Sequence, residues 1–139
     1  MNEEEPPLSA EMLEAYRRTI VTVEADGQWV EAHRFASTAA PSVVHVLTAW
    51  NPFSTELALA ENEERNRRLA ADLAELDATV HLARGSDSVS SWHEDGFAIV
   101  GLTRKAACEL GRRYEQHAIF EFTAHEQLVV GCRTASVLA

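Results

Sequence analysis

The chain has 139 residues, 46% of them hydrophobic and 24% charged, a size and balance that fit one globular core and exclude a disordered segment. Twenty-two acidic against twelve basic residues give a formal charge of -10. That sign repels nucleic-acid backbones and anionic lipid, so neither is expected as a partner. The apolar stretch from Ala36 to Ala49 is broken by polar residues and falls short of the ~20 residues a membrane helix needs.

The start, Met1 to Pro7, is acidic and proline-rich where a secretory leader would be basic and then apolar. It reads as a flexible acidic tail over residues 1–8 of a cytoplasmic protein. A single α+β domain is expected over 9–133, with a short tail over 134–139. Ser9 can cap a helix over Ala10 to Arg17, which begins with acidic residues that favour a helix N-terminus. β-Branched residues Thr19 to Val23, the pair Asp26-Gly27, and Trp29 to His33 predict a hairpin, because a type I′ turn needs positive φ at both central positions.

Pro41 precedes Val43 to Ala49, a short apolar run that predicts a buried strand. It stops at Trp50-Asn51-Pro52, since proline cannot continue a central strand. Ser54 or Thr55 can cap a long helix to about Leu76. Strands over Thr79 to Arg84 and Phe97 to Leu102 flank an extended loop, Gly85 to Asp95. Thr103 caps a second helix running from Arg104 to Tyr114, and two strands, Ala118 to Phe122 and Leu128 to Cys132, close the chain. This order predicts an antiparallel sheet with two helices on one face, a ferredoxin-like split βαβ core extended by the N-terminal hairpin. Trp50 to Ser54, the start of the long helix, the 85–95 loop and the end of the second helix then meet at one edge of the sheet.

In the long helix, Leu59, Asn62, Asn66, Leu69, Leu73 and Leu76 share one face. Two amides thus interrupt an apolar stripe; either they tie the Trp50 to Ser54 loop to the helix or they face a polar cavity. The 85–95 loop brings Trp92, His93, Glu94 and Asp95 to the same edge. Trp92 can plug the core or stack on a planar ligand; Glu94 can be solvated or act as a general acid/base. Gln116 arrives there from the second helix.

The six histidines form neither an i,i+4 pair on a helix nor a Cys/His cluster of zinc-site spacing, and no metal site is expected. The glycine-rich phosphate loops and the nucleophile elbow of serine hydrolases are also missing, and no cofactor is expected. Cys108 and Cys132 read as reduced, buried thiols. Arg104, Lys105, Arg112 and Arg113 form a basic run on an acidic protein, either a solvated helix face or a guide for an anionic partner.

Tyr16-x-x-Thr19, Thr48-Ala49-Trp50-Asn51-Pro52, Glu61-Asn62-x-x-x-Asn66-x-x-Leu69, Gly85-x-Asp87 with Trp92-x-Glu94, and Gln116-x-Ala118-Ile119-Phe120 occur in that order. Together they resemble the bacterial family called domain of unknown function 3293, from about Tyr16 to Val130. The resemblance implies a small cytoplasmic bacterial protein and no particular activity. Gly96 stands where that family is expected to carry a Pro-Ser-like stretch, which implies a differently shaped loop end here.

The residues support a binding module for a small polar ligand or a peptide end, walled by Trp50, Asn51, Asn62, Asn66, Trp92, Glu94 and Gln116. The alternatives are an enzyme with Glu94 as general acid/base assisted by His93, and a protein-interaction adaptor. The adaptor would use the basic helix 104–114 or an exposed edge strand near Thr123 to Arg133. Oligomeric state is not legible from these residues.

Overall fold

The computed structural model describes residues 6–38 and 43–138. The acidic start up to Glu5, Pro41 and the last residue of the expected C-terminal tail lie outside the described residues. In chain order the elements are α1 (Ala10–Arg18), β1 (Ile20–Ala25), β2 (Gln28–Glu31), α2 (Ala32–Thr38), β3 (Val44–Leu47) and a 3-10 turn (Pro52–Ser54). Then follow α3 (Leu59–Ala74), β4 (Thr79–Ser86), β5 (His93–Val100), α4 (Arg104–Arg113), β6 (Ala118–Phe122), β7 (Gln127–Gly131) and β8 (Ser136–Val137). The eight strands form one antiparallel sheet in the order β2-β1-β4-β5-β3-β6-β7-β8.

The strand β3 decides how the sheet is covered. All of its residues are buried, and a strand buried on both faces needs packing partners on both. On one face Val44 and Val46 join Phe35 and Ala36 of α2, Phe120 and Phe122 of β6, and Leu13 and Tyr16 of α1. On the other, Leu47 joins Leu69 and Leu73 of α3 and Cys108 and Leu110 of α4. The expected arrangement of two helices on one face is therefore corrected: helices cover both faces. The overlooked element is α2, where the second hairpin strand ends at Glu31 and Ala32, Phe35 and Ala36 present a buried helical stripe.

Several boundaries also move. Asp26 (φ 53°) and Gly27 (φ 79°) make the expected tight turn between β1 and β2. The helix α3 starts at Leu59 rather than after Ser54, because Asn51, Phe53 and Ser54 hold positive φ and turn the chain before it can become helical. On α3 the buried positions are Asn62, Leu69 and Leu73, while Leu59 and Leu76 are exposed. The long loop shrinks to residues 87–92, since pairing continues through Gly85↔Glu94 and Ser86↔His93. Past Cys132, β8 adds to β7 through Gly131↔Ser136. It covers the Val129 to Gly131 part of the edge that an adaptor would have offered and gives the expected C-terminal tail a paired segment.

Cys108 and Cys132 are both buried and no disulfide joins them. Gly111 is required where α4 crosses them, because a Cβ there would stand 2.5 Å from Cys132 Sγ. A second close approach occurs at Gly96, where a Cβ would stand 2.5 Å from the Leu47 carbonyl oxygen. The residue that departs from the expected family stretch is thus the one that lets β5 pass against the end of β3.

Candidate functional site

Beyond β3 the chain runs as Thr48-Ala49-Trp50-Asn51 across the edge of the sheet, and groups from three other segments, α3, β5 and the residues after α4, hold it. Asn66 accepts from Ala49 N–H through Oδ1 at 2.9 Å and donates through Nδ2 to the Asp95 carbonyl at 2.8 Å. Thr48 Oγ1 donates to the same carbonyl at 2.6 Å and accepts from Trp50 N–H at 3.0 Å. Asn62 accepts from Asn51 N–H at 2.9 Å and donates to Asn51 Oδ1 at 2.9 Å. Gln116 Nε2 donates to the Trp50 carbonyl at 2.9 Å.

The turn so held is strained. Asn51 (φ 49°), Phe53 (φ 47°), Ser54 (φ 64°) and Glu115 (φ 62°) all occupy the left-handed region, where a non-glycine residue costs roughly 1–3 kcal/mol. Phe53 N–H donates to the Glu115 carbonyl at 2.6 Å, joining the two strained turns. Arg65 is the residue that sequence reasoning missed. Its guanidinium donates to the carbonyls of Ala49 and Tyr114 and lies 3.4 Å from Glu115 Oε1. It sits one residue before Asn66, on a helix face that the leucine pattern reads as lateral, so the stripe gave no sign of it.

This framework opens on a cavity of about 670 Å³. Of the residues expected at the site, Trp50, Asn51, Asn62, Trp92, Glu94 and Gln116 line it, together with His93. Asn66 does not; both ends of its amide are engaged with backbone. The opposite wall was not foreseen and comes from α1, through Glu11, Met12, Ala15 and Tyr16. Tyr16 and Thr19 stood in the family pattern, but an amphipathic N-terminal helix gives no sign of where it docks.

Two polar groups at this edge stand out. Trp50 is 6% exposed, and its indole Nε1–H has no hydrogen-bond partner among the described residues. A buried donor left unpaired costs roughly 1–3 kcal/mol. Glu94, half-buried, takes a hydrogen bond at 2.9 Å from Asn51 Nδ2 to Oε2. Burial pushes its carboxyl up to about 7, against the smaller opposing effect of the Asn51 amide. Burial, and next the charge of Glu94, raise the Tyr16 phenol well above its ordinary range.

Glu94 and His93 share no hydrogen bond among the described residues; the imidazole packs against Trp50 with ring centroids 5.9 Å apart. The basic helix is partly spent within the fold. Arg104 makes a two-pronged contact with Glu121 at 2.9 and 2.7 Å, and Arg113 pairs with Asp72 at 3.1 Å. Glu121 also accepts from His45 Nε2 at 2.9 Å. Burial holds His45 below its usual range, that is, neutral. Among the described residues no group of three or more His, Cys, Asp or Glu is placed to hold a metal ion, and no helix is long and apolar enough to cross a membrane.

No curated protein and no solved structure matches the chain. A family model described as "Protein of unknown function (DUF3293)" matches residues 47–119, from the end of β3 to the second residue of β6, which takes in the strained turn, both α3 asparagines, the Trp92-Glu94 corner and Gln116. The chain belongs to that family.

Proposed function

We propose that this domain is a binding module for a small polar ligand, held in the edge cavity between α1, the Trp50 turn and the start of β5. The observation that carries this reading is the cavity itself, about 670 Å³ in volume, which brings Trp50, Asn51, Asn62, Trp92 and Gln116 to one place with the half-buried Glu94 carboxyl among them. A pocket with a mostly apolar wall and few polar groups is the usual form of a small-molecule site. Strained backbone held by Asn62, Arg65 and Gln116 gives the same edge the preorganisation that binding sites need. We read the host as a cytoplasmic bacterial protein and its core as a split βαβ arrangement; the strand order β4-β5-β3-β6 with α3 and α4 as connections supports the core alone.

One observation favours a second reading, an enzyme. A carboxyl held near 7 is matched to general acid/base work, but among the described residues its hydrogen bond is to the Asn51 amide and not to a nucleophile. The adaptor reading is weakened only in part, because Arg104 and Arg113 each pair with a carboxylate of the same chain. The test is a thermal-shift screen of small polar metabolites, since a ligand that binds only the folded state raises the melting temperature by mass action. Stabilising compounds are expected, with the shift reduced in both Trp50→Phe and Glu94→Gln. A screen without a stabiliser, or stabilisers indifferent to both variants, would overturn the proposal.

A further inference from the structure

The two edges of the sheet are built differently. At one end β8 is only two residues long, Ser136 and Val137. At the other, β2 runs through Gln28, Trp29, Val30 and Glu31 in unbroken register with β1, and among the described residues nothing pairs with its outer side. An open edge is a template for another strand, and chains commonly blunt it with lysine, proline or a bulge. β2 carries none of these, and it presents Trp29, which is 49% exposed.

The hairpin fixes which backbone groups point outward. The pair flanking its two-residue turn, Ala25↔Gln28, exchanges hydrogen bonds, and along an antiparallel ladder such pairs alternate. Val30 therefore also turns its N–H and C=O toward β1, while Trp29 and Glu31 turn theirs out. The side chains of the same residues belong to a charge pattern. Thr22 stands opposite Glu31 on one side and Arg84 on the other, so all three share one face of the sheet. The Arg84 guanidinium lies 5.7 Å from the Trp29 ring centroid. Glu31 is exposed, and none of the ion pairs among the described residues uses it.

We infer that the outer edge of β2 binds a second copy of this chain, β2 to β2, antiparallel about a two-fold axis at Val30. An axis perpendicular to the sheet keeps every side chain on its own face, and it sets Trp29 of each copy opposite Glu31 of the other. The outward N–H and C=O groups of these two residues then exchange hydrogen bonds on both sides of the axis. Each Glu31 carboxylate arrives beside the other copy's Trp29 ring and the Arg84 guanidinium that lies against it. The two Val30 side chains meet on the opposite face. Opposite charges thus meet twice, and this self-complementarity, which a two-fold interface requires, favours a second copy over a strand of arbitrary sequence.

Sedimentation equilibrium over micromolar to millimolar protein tests this. At about 0.15 M salt, charges more than ~8 Å apart are largely screened, so the -10 on each copy does little to hold two copies apart. The wild-type mass is expected to rise with concentration from 15.4 kDa toward twice that value. Glu31→Lys and Arg84→Glu, both at exposed positions, should each weaken association at least tenfold, because like charges then face each other. An equimolar mixture of the two variants should associate again, since each mixed dimer sets the new lysine against the new glutamate and native Glu31 against native Arg84. A wild type that stays monomeric at millimolar concentration would overturn the proposal. So would variants that associate as the wild type does, or folded variants whose mixture fails to recover.

Discussion

Replacing Asn66 by leucine gives the sharpest test of how the Trp50 turn is held. Leucine branches at Cγ as asparagine does and completes the apolar stripe of α3, so by side-chain pattern alone the variant should be stabilised. The structure gives the opposite sign. Asn66 Oδ1 accepts from the N–H of Ala49, a residue with no exposed surface, at 2.9 Å. Orphaning a buried N–H costs roughly 1–3 kcal/mol. Losing the 2.8 Å bond to the Asp95 carbonyl matters less, because Thr48 Oγ1 still donates to that oxygen at 2.6 Å; about 1 kcal/mol is a fair measure of it. Leucine recovers a comparable ~1 kcal/mol, since the position is only half-buried and full burial would yield no more than about 3. The net expectation is a loss of about 2 kcal/mol. Urea unfolding should show the midpoint falling at an unchanged slope, and the melting temperature should drop by roughly 6–8 °C. A variant as stable as the wild type, or more stable, would refute the assignment of Asn66 as a backbone clamp.

Glu94→Gln keeps an acceptor for Asn51 and removes the charge. Because the carboxyl of Glu94 is raised from 4.5 to about 7, the folded state binds the extra proton in that window, and wild-type stability falls as pH rises from about 4.5 through 7. The variant should therefore be more stable at pH 8, by on the order of 2 kcal/mol, with the difference shrinking toward pH 5; an equal difference at both pH values would contradict the buried-carboxylate assignment. Glu121 works in the other direction. Arg104 chiefly, and then His45, hold it down to about 2, so its contribution is full above about 4.5 and is lost as pH falls toward 2. Acid titration of Arg104→Gln should show that loss reduced, and an unchanged acid limb would count against the pair. Arg65→Lys cannot reach the Ala49 and Tyr114 carbonyls together, since a single ammonium lacks the guanidinium fork. A loss of about 1–2 kcal/mol is expected in urea unfolding, and a silent substitution would remove Arg65 from the framework.

The order of strands and helices from Val43 to Phe122 was legible because each segment carries its own local signal. Thr103 caps α4 by accepting from Ala106 N–H, as its position ahead of the helix suggests, and Asp26-Gly27 makes the turn it announces. The convergence of Trp50, Asn62, Glu94 and Gln116 followed from topology. What was not legible depends on distant contacts. The 87–92 loop looked longer because Gly85, Ser86 and His93 have weak strand preferences, and the ladder β4 shares with β5 overrides them. The helix α2 hid in a short mixed-polarity segment whose only apolar anchors are Ala32, Phe35 and Ala36. The α1 wall of the cavity is a docking choice, and Asn66 and Asn62, identical in type and neighbours on one face, differ in whether they line the cavity only through the geometry of the turn they hold.

The most direct measurement is the nuclear magnetic resonance signal of the Trp50 indole N–H, assigned by its disappearance in Trp50→Phe and followed while small polar compounds are titrated. If the edge cavity is the ligand site, compounds that raise the melting temperature will shift this signal in proportion to occupancy, because Trp50 stands in the cavity wall. Stabilising compounds that leave the Trp50 signal in place and perturb residues elsewhere would contradict a binding site at this edge.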